Sequence, residues 1–355
     1  MSKLKNKICI VPFTSLEIHD KSYFMCCPSW LTKRLPNNAE LKDVWNSQEA
    51  QDIRKSVMDG TYEFCDNTLC PYLNELDKNN LKSYGPIKDI SELPEPYKKY
   101  VEESTTNIPT SPSLINFSFD RTCNFMCPSC RNEMIVANTK KIKEVNATIK
   151  EIEDLYSQDV VTLYLSGTAD PFVSVSFRNF LRNFNPEKYP KLKNIHLHTN
   201  ASMWNKEMWD SMSNIHKYVT TCEISIDAGT KNTYENVTRL GGNWDKLIEN
   251  LEFISTIKTI QQVKTSFVVQ TSNYKEMYEF VKLINRIFGK KSLIFFGKIT
   301  NWGTFSEQAF ESHKIWDNKH PEHSSFLEEF NKVCFLPGVF HNLQEFVITK
   351  SKTLI

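Results

Sequence analysis

From about residue 113 to residue 299, short apolar runs alternate with amphipathic stretches. The runs Leu114 to Phe119, Val161 to Ser166, Asn194 to Thr199, Val219 to Asp227, Val263 to Gln270 and Ser292 to Ile299 are rich in β-branched or aromatic residues, which predicts strands. Between them, Ala147 to Tyr156, Ser176 to Phe184, Lys206 to His216, Trp244 to Ile257 and Lys275 to Phe288 repeat apolar positions at helical spacing. Strand followed by helix, six times over, predicts a parallel sheet with right-handed crossovers. Eight such units close a barrel, and six predict an α/β fold of the open, partial (β/α)6 TIM-like kind. Chemistry in such barrels sits at the C-terminal ends of the strands.

The flanks read differently. Residues 1–80 are rich in cysteine and poor in periodic pattern, which predicts a separate small module that a bound metal would help to hold together. Residues 81–112 hold Pro86, Pro94, Pro96, Pro109 and Pro112 among many charges and read as a linker, because proline removes backbone donors and disfavours helix before it. Residues 113–299 are the barrel. Residues 300–355 carry two predicted helices, Phe305 to Trp316 and Ser324 to Cys334, as a short helical extension.

Charge narrows the functional classes. Lys plus Arg number 43 against 42 Asp plus Glu, for a net charge of +1, so no basic excess points to nucleic acid. No run approaches the roughly 18 apolar residues that span a bilayer, and the N-terminus lacks an apolar leader core, so the expected location is cytoplasmic, away from membranes. Ten cysteines in a reducing compartment favour metal over disulfides. Cys123, Cys127 and Cys130 form one group, and Cys9, Cys26, Cys27, Cys65 and Cys70 another. Cys222, out of phase with Ser225 on its strand, is expected in the core, and a packing role is also expected for Cys334.

Cys123, Cys127 and Cys130 lie in Arg-Thr-Cys-Asn-Phe-Met-Cys-Pro-Ser-Cys, directly after the first barrel strand. Three thiolates on a short loop can hold three irons of a [4Fe–4S] cluster and leave the fourth open. A structural zinc wants four closed ligands, and no fourth Cys or His follows nearby. The CxxxCxxC spacing resembles the signature of the radical S-adenosylmethionine (SAM) superfamily. The resemblance implies an enzyme in which the open iron chelates SAM, and an electron then splits it into methionine and a 5′-deoxyadenosyl radical.

Further motifs extend the resemblance. Leu165-Ser-Gly-Thr-Ala-Asp-Pro-Phe172 is similar to the family's Gly-Gly-Glu-Pro motif, which implies that Gly167 and Asp170 meet the methionyl ammonium. A helix-capping turn is the alternative for Asp170. Ser225-Ile-Asp-Ala, then Tyr234 and Arg239-Leu-Gly-Gly, resemble a pattern of peptide-modifying members. By that likeness Ser225 and Arg239 would contact the SAM carboxylate and Asp227 would sit near the sugar, with a surface arginine as the alternative. Asn200 and Gln270, at other strand ends, suit ribose and adenine. Ser129 stands where the family places an aromatic, so adenine packing would come in part from Phe125. His196 and His198 point the same way on their strand, and a hydrogen-bonded core role is expected for one of them.

The N-terminal cysteines, with Tyr23-Phe-Met-Cys-Cys-Pro and the Leu41 to Gly60 segment, resemble the twitch or SPASM-like module of radical SAM proteins, which implies an auxiliary [4Fe–4S] cluster. Cys9, one of Cys26 and Cys27, Cys65 and Cys70 would be its ligands. Structural zinc on the same thiolates remains open. The expected function is an oxidoreductase that abstracts a hydrogen atom from a peptide, sugar or small metabolite, with a reductase, flavodoxin or ferredoxin as electron donor. A redox-neutral epimerase or isomerase and a non-catalytic iron–sulfur carrier are the alternatives.

Overall fold

The computed structural model describes residue 4, residues 6–78, residues 85–343 and residue 346. The chain divides into two compact units, one of Met1–Cys123, Ile135–Thr199 and Glu207–Thr221, the other of Asn124–Met134, Asn200–Lys206 and Cys222–Ile355.

The first unit holds β1 (Lys7–Cys9), β2 (Ser15–Ile18), β3 (Tyr23–Phe24), β4 (Ile87–Asp89), β5 (Leu114–Phe117), β6 (Thr162–Leu165) and β7 (Asn194–Thr199). Strands β5, β6 and β7 run parallel, with Leu114 opposite Thr162 and Thr162 opposite Asn194. Along β7, Ile195, Leu197 and Thr199 are buried while Asn194, His196 and His198 are half-buried on the other face, as the period of a strand requires. The helix Val175–Arg182 packs Phe177 and Phe180 against Phe117, with ring centroids 6.1 and 5.5 Å away. The helix Thr139–Tyr156 starts eight residues before the expected Ala147, because the Asn138 side chain caps it through Lys141 N at 2.9 Å. The apolar pattern is thin in that first turn and hid the start.

The N-terminal segment is joined to this sheet. Strand β2 pairs parallel with β5, Ser15 opposite Leu114, and β3 pairs antiparallel with β2, so the order is β7-β6-β5-β2-β3. The linker is also packed. Trp45 Nε1 donates to Thr110 O at 2.7 Å, and Arg54 donates to Thr106 O at 2.8 Å. Strand β4 and the helix Tyr97–Glu102 form within it.

The second unit holds β8 (Thr221–Ser225) from Cys222 onward, β9 (Gln262–Val269), β10 (Ser292–Lys298) and β11 (Val339–His341), in the order β11-β10-β9-β8. Strands β9 and β10 are parallel, Val263 opposite Ser292. Strand β11 also runs parallel to β10, so the C-terminal segment supplies a strand as well as the helices Glu307–His313 and His323–Asn331. Three buried rings, Phe267, Phe280 and Phe296, tie the helix Met277–Phe288 to β9 and β10 at centroid distances of 5.0 to 6.2 Å. Cys222 is fully buried, as expected from its phase on β8. The fold is mixed α/β with parallel strands. Among the described residues no helix is long and apolar enough to cross a membrane.

Candidate functional site

In the second unit, Cys127 and Cys130 share a turn in which Cys127 O accepts from Cys130 N and Arg131 N, both at 2.9 Å. Each sulfur meets a guanidinium. Arg239 Nη1 lies 3.5 Å from Cys127 Sγ, and Arg131 Nη2 lies 3.4 Å from Cys130 Sγ. The Arg-Leu-Gly-Gly segment pins the same loop, because Met126 N donates to Leu240 O at 2.9 Å. Gly241 has φ +95°, and a Cβ there would stand 3.2 Å from Asn124 O, so only glycine lets the two backbones approach this closely.

Arg239 Nη2 pairs with Asp227 Oδ2 at 2.7 Å, and both side chains are almost fully buried. Burial alone would lower the Arg239 pKa, but Asp227 and then Cys127 outweigh it and hold the guanidinium above its ordinary value. Burial pushes the Cys127 thiol up, against the pull of Arg239. Asp227 has φ +58°, a left-handed conformation that aspartate tolerates better than most residues, and its Oδ1 accepts from Val268 N at 2.7 Å. Sequence reasoning flagged Asp227 and Arg239 for separate roles, and their mutual contact is what it missed. Elsewhere in this unit, Phe125 is 1% exposed and packed edge-on against Tyr234. Asn200 donates to Asn124 Oδ1 at 3.0 Å and accepts from Ser202 N at 2.9 Å. Ser225 ends β8 half-buried, Gln270 is buried just past β9, and Ser129 is half-buried in the cysteine loop.

In the first unit, Cys123 N donates to Ile135 O at 2.9 Å and the thiol is buried. Asp120, three residues earlier, is buried and accepts from Thr122 N, Thr122 Oγ1 and Ser174 Oγ at 2.9, 2.7 and 2.6 Å. Asp170 is 1% exposed. Its Oδ1 accepts from Phe172 N at 3.0 Å and its Oδ2 from Thr199 Oγ1 at 2.7 Å, which makes it an anchor of the turn after β6. Gly167 lies in the same turn, where an added Cβ would stand 3.8 Å from Ser118 Oγ and 3.9 Å from His198 Nδ1, in ordinary van der Waals contact. His196 bonds Thr221 Oγ1 at 2.7 Å and stacks on Tyr164 at 4.2 Å, the core arrangement expected for one of the two histidines.

The same unit gathers Cys9, Cys26, Cys27, Cys65 and Cys70 around one cavity of about 270 Å³, whose lining also includes Glu17 of β2 and Asn116 of β5. Burial drives the Cys26 thiol well up, and repulsion from Cys27, Cys9, Cys70 and Cys65 adds to it. The thiols of Cys9, Cys65 and Cys70 are also raised by burial, Cys65 to about 12. Backbone donors at Leu73 and Tyr72, in the first turn of the helix Pro71–Lys78, pull against that rise at Cys70. Cys27 Sγ instead lies 3.1 Å from Ser29 Oγ. Among the described residues, no three His, Cys, Asp or Glu converge tightly enough to hold a single metal ion. Zn–S bonds near 2.3 Å place zinc thiolates about 3.8 Å apart, and an iron–sulfur cube spreads them wider. An all-thiol donor set around a cavity of this size fits a cluster. The loop of Cys127 and Cys130, with a cation on each sulfur, likewise fits an anionic thiolate centre.

The Radical SAM superfamily model matches residues 117–284. Over those residues the chain is similar to radical SAM domains, and it is an enzyme. The match spans most of the strands from the end of β5 to β9, together with all the motifs from Cys123 to Gln270, and leaves the N-terminal thiols outside it. No curated protein matches the chain in sequence. Among solved structures, Streptococcus suis SuiB bound to S-adenosylmethionine is 15% identical with a TM-score of 0.46, over 81% of this chain and 64% of that one. SuiB bound to precursor peptide SuiA is 17% identical with a TM-score of 0.40, over 71% and 55%. The tagged anSMEcpe with bound AdoMet is 14% identical with a TM-score of 0.44, over 62% and 58%. The chain thus spans between 55% and 64% of the length of these structures.

Proposed function

We propose that the chain couples a SAM-cleaving centre to a second iron–sulfur centre and oxidises, or forms a bond on, a peptide, sugar or other small metabolite. Cys123, Cys127 and Cys130 would ligate three irons of a [4Fe–4S] cluster, with SAM on the fourth. Reduced and carrying SAM, that centre supplies the 5′-deoxyadenosyl radical that removes a substrate hydrogen atom. The family likeness implies a partial barrel, in which this centre would lie at the C-terminal ends of the strands. By the family likeness the Asp170 carboxylate would accept from the SAM ammonium beside Gly167, and Ser225, Asn200 and Gln270 would offer polar groups to the carboxylate and nucleoside. An electron donor of the flavodoxin or ferredoxin kind would serve the site in the cytoplasm.

Cys9, Cys26, Cys65 and Cys70 would hold the auxiliary cluster. Cys26 would take the fourth place, since its thiol is fully buried and repelled by those of Cys9, Cys65 and Cys70, while Cys27 Sγ bonds Ser29 Oγ. A fully ligated cluster suits taking up one electron rather than binding substrate. The observation that carries the reading is the gathering of these thiols around one cavity, in a chain that is also similar to radical SAM domains.

Iron and zinc content after anaerobic reconstitution tests it. Wild type should bind about eight irons, and the variant with Cys123, Cys127 and Cys130 all changed to Ala about four. Zinc in place of the second four irons would favour the redox-neutral alternative, with a structural N-terminal metal.

A further inference from the structure

We infer that Arg239 tunes the SAM-site cluster through the sulfur of Cys127. The inference rests on the proposed role of Cys127 as an iron ligand and assigns to Arg239 a task separate from any contact with SAM.

Three nitrogens of one planar group meet three different partners. Nε donates to Ile226 O at 3.4 Å, Nη2 pairs with Asp227 at 2.7 Å, and Nη1 points at Cys127 Sγ at 3.5 Å. A guanidinium held at three corners cannot swing away from the sulfur without breaking the Asp227 pair. Asp227 is itself fixed, because its Oδ1 accepts from Val268 N at 2.7 Å and its backbone carbonyl from Asn273 Nδ2 at 3.0 Å. The loop on the other side is held too, by the bond from Met126 N to Leu240 O, one residue beyond Arg239. Both partners of the N–H···S contact are therefore immobilised, in a buried place where water screens little.

A cationic donor on a ligand sulfur stabilises the more negative, reduced form of a cluster and raises its potential. Asp227 offsets part of the charge, but its main effect is to aim the fork. Arg239 is in this sense a positioning residue. Arg131 makes a similar contact to Cys130, its neighbour in sequence.

The test is a redox titration of the full-length, anaerobically reconstituted protein, followed by electron paramagnetic resonance without SAM. The SAM-site signal is identified beforehand as the one that responds to added SAM. Arg239→Gln should lower its midpoint so that the reduced-to-oxidised ratio at a fixed potential falls about tenfold, which is 59 mV for one electron. The second signal should not move. Arg239→Lys keeps the charge but loses the fork, so it should give a smaller fall and lose the exchangeable-proton coupling from the N–H···S contact. An unmoved midpoint in Arg239→Gln overturns the inference. If that variant does not retain its irons, an unmoved midpoint with intact proton coupling in Arg239→Lys overturns it equally. Failure of the underlying reading looks different, since wild type would then show no SAM-responsive signal at all.

Discussion

Glu17 stands opposite Asn116 across the parallel strands β2 and β5, and both side chains line the cavity that gathers the N-terminal thiols. The segment carrying Cys9 to Cys70 is thus stitched to the strand that leads into Cys123. A fragment beginning at residue 113 would leave β5 as a bare edge, with unpaired backbone groups and the apolar β2 contacts exposed. Expressed alone, that fragment should aggregate, and size-exclusion chromatography of the fragment beside the full chain checks this.

Arg54 is fully buried and has no carboxylate partner among the described residues. It donates to Pro12 O, Trp45 O, Thr106 O and Asn46 Oδ1 at 2.8 to 3.0 Å and lies over the Trp45 ring. Arg54→Met should cost about 3 kcal/mol or more, because several buried acceptors lose their donor together. Chemical denaturation of the anaerobic protein measures it. Pro12 also lines the thiol cavity, so the same variant should hold its N-terminal irons less firmly against a chelator.

Cys26→Ala and Cys27→Ala separate the neighbouring thiols. The first should remove about four irons, as expected for a lost cluster ligand, and the second should leave the content near wild type. Iron quantification in the two variants decides the assignment, and the opposite pattern would transfer the ligand role to Cys27.

Cys222 is fully buried on β8, and burial, followed by the nearby Glu223, raises its thiol pKa far above the ordinary value. In the unfolded chain the thiol ionises near its ordinary value, so the unfolded state gains from rising pH before the native state does. The stabilising contribution is fully present below about pH 8.5 and is lost progressively above it. Denaturation midpoints between pH 8 and 10 should fall more steeply for wild type than for Cys222→Ala. Parallel slopes would contradict this.

Much of this arrangement is legible in the sequence. Strands β5 to β10 stand out because each is a short apolar run buried on at least one face, and Cys222 could be placed in the core from strand phase alone. Length does not separate β2 from the four-residue β5 and β6, but β2, β3 and β11 lie outside the strand-then-helix repeat that makes those readable. They form because β5 and β10 offer open edges. The cysteines, Asp227 and Arg239 could be picked out singly by spacing. The Asp227 to Arg239 to Cys127 chain could not, since it depends on a left-handed residue after β8 and on a loop 112 residues away in sequence. Nor does sequence rank Cys26 over Cys27, because adjacent residues differ only in where the chain turns them.

The central claim is SAM cleavage at the centre held by Cys123, Cys127 and Cys130, and quantification of 5′-deoxyadenosine tests it most directly. Reconstituted wild type, incubated with SAM and dithionite, should release 5′-deoxyadenosine and methionine, and the triple Ala variant should release neither. A wild-type protein that holds its irons and forms no 5′-deoxyadenosine, or a triple variant that forms as much as wild type, would contradict the account.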